Sequence, residues 1–161
     1  MANNGARAFF LMLDTIKDTL LLDENVNSVT YGDLTDVDMS KQTIFPLSHI
    51  IVNQATNDSQ TMTFNVTILC MDVVDVQKTE PVDIFERNNS EHYILNTQLA
   101  VTNRLYQLLH NGQLRLDGYQ VDGYQVDGEA NCEPFVDRFS NNIAGWAVTF
   151  DIMIKNDLYI C

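Results

Sequence analysis

The sequence predicts an α+β fold, a two-layer sandwich with a mostly antiparallel sheet and two helices on one face. Three observations carry this expectation. Two stretches place apolar residues at helical spacing, and at least four show the composition or alternation of half-buried strands. Their order along the chain is α, β, β-hairpin, α, β, β, and such a set packs most simply as helices layered on one sheet. The third is length: 161 residues suit one domain, able to hide roughly 70% of its unfolded surface. No linker composition divides the chain, so residues 1–161 are expected to form a single domain with loops at 32–42, 72–89 and 113–137.

The elements follow in order. From about Asn4 to Leu22, Phe9, Leu13, Ile16 and Leu20 recur at i, i+4, i+7, i+11, with Phe10 and Leu21 widening the stripe, which is an amphipathic helix. Asp23-Glu24-Asn25 ends it, and Val26–Tyr31 is a short β-prone stretch. Gly32–Lys41 is a polar loop. Ile44–Val52 and Thr61–Met71 are β-rich runs around a polar turn at Asn53–Gln60, hence a hairpin. In the second run Met62, Phe64, Val66, Ile68 and Cys70 alternate with Thr63, Asn65 and Thr67, so one face is buried and the other wet. Pro46 cannot donate to a ladder, which predicts an edge position or a bulge for its strand.

Asp72–Arg87 is charged, contains Pro81 and reads as a loop. Asn88-Asn89-Ser90 supplies helix caps ahead of the clearest helical pattern in the chain. Ile94, Val101, Leu105 and Leu108 form one line, Leu95, Leu99, Tyr106 and Leu109 another, and Asn111-Gly112 is the stop. The stretch Gln113–Asp137 holds DGYQV twice, at Asp117–Val121 and Asp122–Val126. Ile143–Ile154 alternates strictly, with Trp146, Val148, Phe150, Ile152 and Ile154 facing one way and Thr149 and Asp151 the other, which suits the centre of a sheet.

Charge narrows the function classes. Nine Lys and Arg against 22 Asp and Glu give a net charge of −13. A chain this acidic gains nothing by neutralising phosphates, so sequence-reading nucleic-acid binders and binders of anionic membranes are excluded. Cys70, Cys132 and Cys161 are odd in number, widely spaced and without a CxxC, which suggests neither a disulfide framework nor a zinc site but reduced cysteines made in a cytosol. Asp14, Lys17 and Asp18 interrupt the apolar Ala8–Leu13 too early for a secretory signal, and no stretch reaches the ~20 apolar residues of a membrane helix. The expectation is a soluble, unprocessed chain.

Chemical motifs add little. His49, His92 and His110 fall in a strand, at a helix start and at a helix end, and none stands at metal-ligand spacing from another ligand type. His110 suits the negative end of its helix. The Asp-Gly repeat gathers Asp117, Asp122 and Asp127 but fits neither the EF-hand spacing nor the nonapeptide calcium pattern, so a hairpin or surface loop with Asp-Gly turns is its reading. No phosphate loop, GxSxG, HExxH or Cys/His pair occurs. No catalytic, cofactor-binding or metal-ligating residue is assigned, and the chain reads as a non-enzyme without a cofactor. Tyr119 and Tyr124 sit on the acidic repeat, where aromatic side chains serve protein contact.

The acidity is uneven. Asp23–Asp38, Asp72–Glu86 and Asp117–Asp137 together hold 16 of the 22 acidic residues with Lys78 as their one base, leaving a slight positive excess elsewhere. Three acidic loops on one small domain are expected to line one negative surface.

An N-terminal amphipathic helix, a hairpin beginning near Phe45-Pro46-Leu47, a long second helix and a closing strand introduced by Cys132-x-Pro134-Phe135-x-Asp137-Arg138-Phe139 and Ala144-Gly145-Trp146 form a recognisable set. The whole chain resembles the tail terminator, tail-completion and neck-ring proteins of tailed bacteriophages. Asn131–Ile154 and Phe45–Ile50 are most similar to the neck proteins of crAss-like phages, while the DGYQV duplication departs from that pattern. The resemblance implies a non-enzymatic virion protein, made in the host cytoplasm, that assembles with itself into a ring of the portal-to-tail connector. A twelvefold ring matching a portal is favoured over a sixfold one. Its implied partners are the portal and neighbouring neck or tail proteins, with genomic DNA only passing through.

A negatively lined channel repels DNA and lets it slide, so Asp33, Asp36, Asp38, Asp117, Asp122 and Asp127 are expected to face the lumen or an adjacent ring, with Tyr119 and Tyr124 at a protein contact. Two other readings stand beside the neck ring: a tail terminator capping a tail tube, and a soluble acidic adaptor or DNA mimic that occupies a basic protein groove.

Overall fold

In the structure, a computed structural model, the described residues are 7–33, 44–59, 61–74, 91–110, 115–116, 119–120, 124–138 and 143–155. They form α1 (Arg7–Leu21), β1 (Ser28–Tyr31), β2 (Leu47–Asn57), β3 (Thr61–Val73), α2 (Glu91–His110), β4 (Arg115–Leu116), β5 (Tyr119–Gln120), β6 (Tyr124–Arg138) and β7 (Ile143–Lys155). Five strands make one sheet in the order β1-β2-β3-β7-β6, antiparallel except for the parallel β1–β2 pair, while β4 and β5 pair separately. Both helices pack on the same face of the sheet. The expected α+β sandwich is the observed one, and its last strand is interior, next to the edge strand β6, while β3 holds the centre.

The periodicities explain the layers. Phe64, Val66, Ile68 and Cys70 of β3 and Val148, Phe150, Ile152 and Ile154 of β7 point to the helices. There they meet Met12, Ile16 and Leu20 of α1 and Val101, Leu105 and Leu109 of α2. Trp146 donates its indole N–H to the Leu95 carbonyl at 2.7 Å, fixing α2 over β7. The other face is divided. Leu47, Leu69, Met71, Phe135 and Ile143 form a second apolar cluster toward one end. Toward the other, Asn53 donates to Asn65 and Thr67, Asn65 donates to Asp151, and Thr67 shares a hydrogen bond with Thr149, so polar side chains satisfy one another across the strands.

Several expectations are corrected. The α1 stripe widens toward Met12, which is fully buried, and not toward Phe10 and Leu21, which are exposed. Thr15 and Thr19 sit on the buried flank, where the Thr19 hydroxyl donates to the Thr15 carbonyl, so a buried polar group need not break the stripe. The hairpin turn is shorter than Asn53–Gln60, because strands continue to Asn57 and from Thr61; polar residues there occupy a wet face, not a turn. Pro46 precedes β2 through a cis peptide, and β2 is interior, with its register shift between Val52 and Gln54 instead. In the expected loop 113–137, positions 124–138 are a strand at the sheet edge. The capping residues Asn88–Ser90 and Asn111-Gly112 lie outside the described residues.

Two contacts hold the sheet together in ways that mutation can test. Gly145 of β7 faces Met71 of β3, and a Cβ there would run into the Cys70 carbonyl and approach the Met71 Cα to 2.8 Å. Since both obstacles are backbone, Gly145→Ala is expected to cost about 3 kcal/mol or more, measured as a lowered urea midpoint. His49 is fully buried in β2 and uses both ring nitrogens to hold β1 and the residue after it: Nδ1 lies 2.7 Å from the Thr30 hydroxyl and Nε2–H donates to the Gly32 carbonyl at 2.9 Å.

Burial holds the His49 pKa below its ordinary 6.5, against the opposing pull of the Gly32 carbonyl and the Asp33 carboxylate. The unfolded chain therefore takes up the proton first as pH falls. The contribution of neutral His49 is present above about pH 6.5 and is lost below it. Denaturation midpoints at pH 7 and pH 5 should differ less in His49→Gln than in the natural chain.

Candidate interaction surfaces

The edges of the sheet carry the features with most chemical character. At one edge β1 is short, and α1 lies beside it. Phe9 of α1 is the hub of an aromatic group, with ring centroids 5.8 Å from Phe10, 6.1 Å from Tyr31 and 6.0 Å from Phe64. Phe64 belongs to the core, whereas Phe10 and Tyr31 are 56% and 53% exposed. The helix geometry explains Phe10: it shares the outer flank of α1 with Lys17 and Leu21, at i+7 and i+11, both of them exposed. Tyr31 takes its place from the strand, since it alternates with Thr30, whose hydroxyl is turned to His49 on the other face.

At the opposite edge β6 runs for 15 residues beside β7. Two irregularities bend it, one between Asp127 and Asn131 and one between Phe135 and Arg138, as is common on exposed edges. Gly128 sits in the first with φ of 76°, a conformation that suits glycine, and the Tyr106 hydroxyl of α2 donates to its carbonyl at 3.1 Å. Between α2 and β6 lies an open groove of about 600 Å³. Leu99, Ala100 and Tyr106 form its helix wall, Glu129, Ala130 and Cys132 its strand wall, and Val148 is reached between them. Leu99, Glu129 and Cys132 are exposed.

The expected interaction residues divide. Asp36, Asp38, Asp117 and Asp122 lie outside the described residues. Asp33 is exposed just past β1 and is close enough to raise the proton affinity of His49. Tyr119 is placed in β5, and Tyr124 and Asp127 in β6. The two DGYQV copies thus have different fates: of the first, Tyr119 and Gln120 form β5, while its Asp117-Gly118 lies outside the described residues, and the second runs into the edge strand from Tyr124.

The acidity is accordingly not confined to loops. Asp127, Glu129, Glu133 and Asp137 all belong to β6, and Asp127 stands opposite Asp151 of β7. Asp72 also lies in a strand, β3, where partial burial pushes its pKa up against the lowering effect of the Val73 N–H bond. The acidic segments leave the sheet at different places. β3 ends opposite the start of β7, whereas β6 begins opposite its end.

The reactive groups are few. Burial pushes the Cys70 thiol up to about 12, so it stays protonated and inert. Cys132 is free and exposed. No group of three metal-ligating side chains is clustered among the described residues. Sequence reasoning assigned Phe10 to the α1 stripe and Leu99 to an apolar line of α2, and gave no contact role to Tyr31, Ala100 or Glu129. Its usable signal was the second apolar flank of α1, Phe10 and Leu21, carried on a helix whose core face was already complete. No protein-family model matches this chain, and no curated protein matches it in sequence.

Proposed function

We propose that this chain is a non-enzymatic virion protein that assembles as a ring in the portal-to-tail connector of a tailed phage, joining head to tail and surrounding the passing DNA. The observation that carries this reading is the unlikeness of the two sheet edges: β1, four residues and parallel, and β6, fifteen residues, bulged and acidic. A closed ring needs two different patches on every subunit, joined head to tail through a rotation that closes. A symmetric dimer needs one patch only.

The charge supports the same role. A net −13, gathered in segments that include an edge strand and the stretch after β1, repels a DNA duplex without trapping it. Asp33, Asp36, Asp38, Asp117, Asp122 and Asp127 remain the residues proposed to face the lumen or an adjoining ring. The tail terminator is the variant of this reading with a different stoichiometry. The adaptor or DNA mimic, from a different class, rests on the total charge alone.

The test is native mass spectrometry and sedimentation of the purified full-length chain. A closed species of constant stoichiometry is expected, twelvefold for a neck ring and sixfold for a terminator. A monomer at every concentration that also competes with DNA for a basic partner would replace the ring by the mimic.

A further inference from the structure

We propose that Phe10 and Tyr31 of one copy seat in the α2–β6 groove of a second copy, so that successive copies join edge to edge. The inference rests on the ring reading and supplies its subunit contact. Half-exposed aromatic rings are the usual anchors of protein interfaces, where each buries about 150–250 Å². These two are held in place through Phe9, which contacts both and also the core ring of Phe64. The groove offers the complement. At about 600 Å³ it falls within the size of clefts that take compact apolar groups. The small side chains of Ala100 and Ala130 leave its middle open, between the apolar surfaces of Leu99, Tyr106 and Val148.

Position makes the contact repeatable. β1 and β6 are the first and last strands of the sheet, so filling the groove of one copy leaves that copy's own aromatic edge free for the next. Charge selects this pairing over the symmetric one. β6 carries Asp127, Glu129, Glu133 and Asp137 against Arg138 alone, and two such edges brought together would set like charges opposite each other. α1 is balanced, Arg7 and Lys17 against Asp14 and Asp18, and although Asp33 lies exposed just past β1, this side still opposes β6 with fewer like charges than a second β6 would. The exposed Lys17 of α1, on the same flank as Phe10, is presented to the exposed Glu129 and Glu133 of the neighbour. A second copy therefore meets β6 with its α1–β1 side, not with its own β6.

The native Cys132 on the groove wall makes the contact testable in the full chain. In a Cys161→Ser background, Tyr31→Cys and, separately, Lys17→Cys are oxidised gently and resolved without reductant. Cys70 is buried and takes no part. A ladder of covalent multimers is expected from either variant, abolished by Cys132→Ser. Ala100→Trp, which fills the groove from an exposed helix position, should weaken self-association about thirtyfold or more while leaving unchanged the thermal midpoint of the dissociated chain at high dilution.

Rings in native mass without these cross-links, or undiminished association of Ala100→Trp, would overturn the contact and leave the ring standing. Cross-linked dimers through Cys132 alone would replace it by a symmetric pair. A chain that is monomeric at all concentrations would remove both the contact and the ring.

Discussion

The rest of the structure depends on the pairing of β3 with β7. Thirteen consecutive residue pairs run without a bulge from Thr61 opposite Lys155 to Val73 opposite Ile143, joining stretches about eighty residues apart in the chain. This pairing can form only if the backbones come close at Gly145, where the Cys70 carbonyl leaves no room for a side chain. Once it is made, the alternation of both strands sets one continuous apolar face, and α2, which lies between them in sequence, is brought back over that face and tied by Trp146 to Leu95. The β2 hairpin arm then extends the sheet on one side and β6 on the other.

That dependence also explains what was legible in the sequence. The strict alternation of Ile143–Ile154 and Thr61–Met71 reported both a strand and its buried face, because each side chain position answers to a single layer of helices. The order of elements followed, and with it the fold class. Boundaries were harder to see. Residues Asn53–Asn57 look like a turn by composition, yet a strand with one wet face accepts Asn and Thr wherever its partners offer hydrogen bonds, as Asn65 and Thr67 do for Asn53. The edge strand β6 was obscured for the same reason: an edge needs little apolar content, and Asp127-Gly128 reads locally as a turn although it occupies a bulge. For α1, helical spacing identified the stripe but not its centre, since Thr15 and Thr19 are buried and Phe10 is not.

The division of the charge follows from these layers. Nothing acidic can lie between helices and sheet without a partner, so among the described residues the carboxylates are expelled to the rim, the wet face and the edge. Asp23 at the end of α1 is the nearest to an exception, and it lies 3.9 Å from Arg104 of α2. On the wet face Asp151 accepts from Asn65 and faces Asp127 across the ladder. The acidic composition of β6 disfavours its pairing with a further acidic strand. An exposed edge strand of fifteen residues would otherwise be a site for uncontrolled pairing.

Acid on β6 is thus a restriction before it is an attraction. It forbids β6 from meeting another β6, the contact that symmetry would make simplest for identical chains. In the proposed contact it leaves the ladder hydrogen bonds of that edge as a minor source of specificity and gives recognition to the groove beside it, lined by α2 and β6. The bulge is held in that shape from within the same chain, by the Tyr106 hydroxyl on the Gly128 carbonyl. The groove is therefore formed within the single chain, and the proposed contact would need little further ordering of it. On the far edge Phe9 does the equivalent for Phe10 and Tyr31. For the proposed ring, two preformed and unlike surfaces favour head-to-tail addition as the arrangement that buries both, and the angle between the two edges of the twisted sheet would then set how many copies close it.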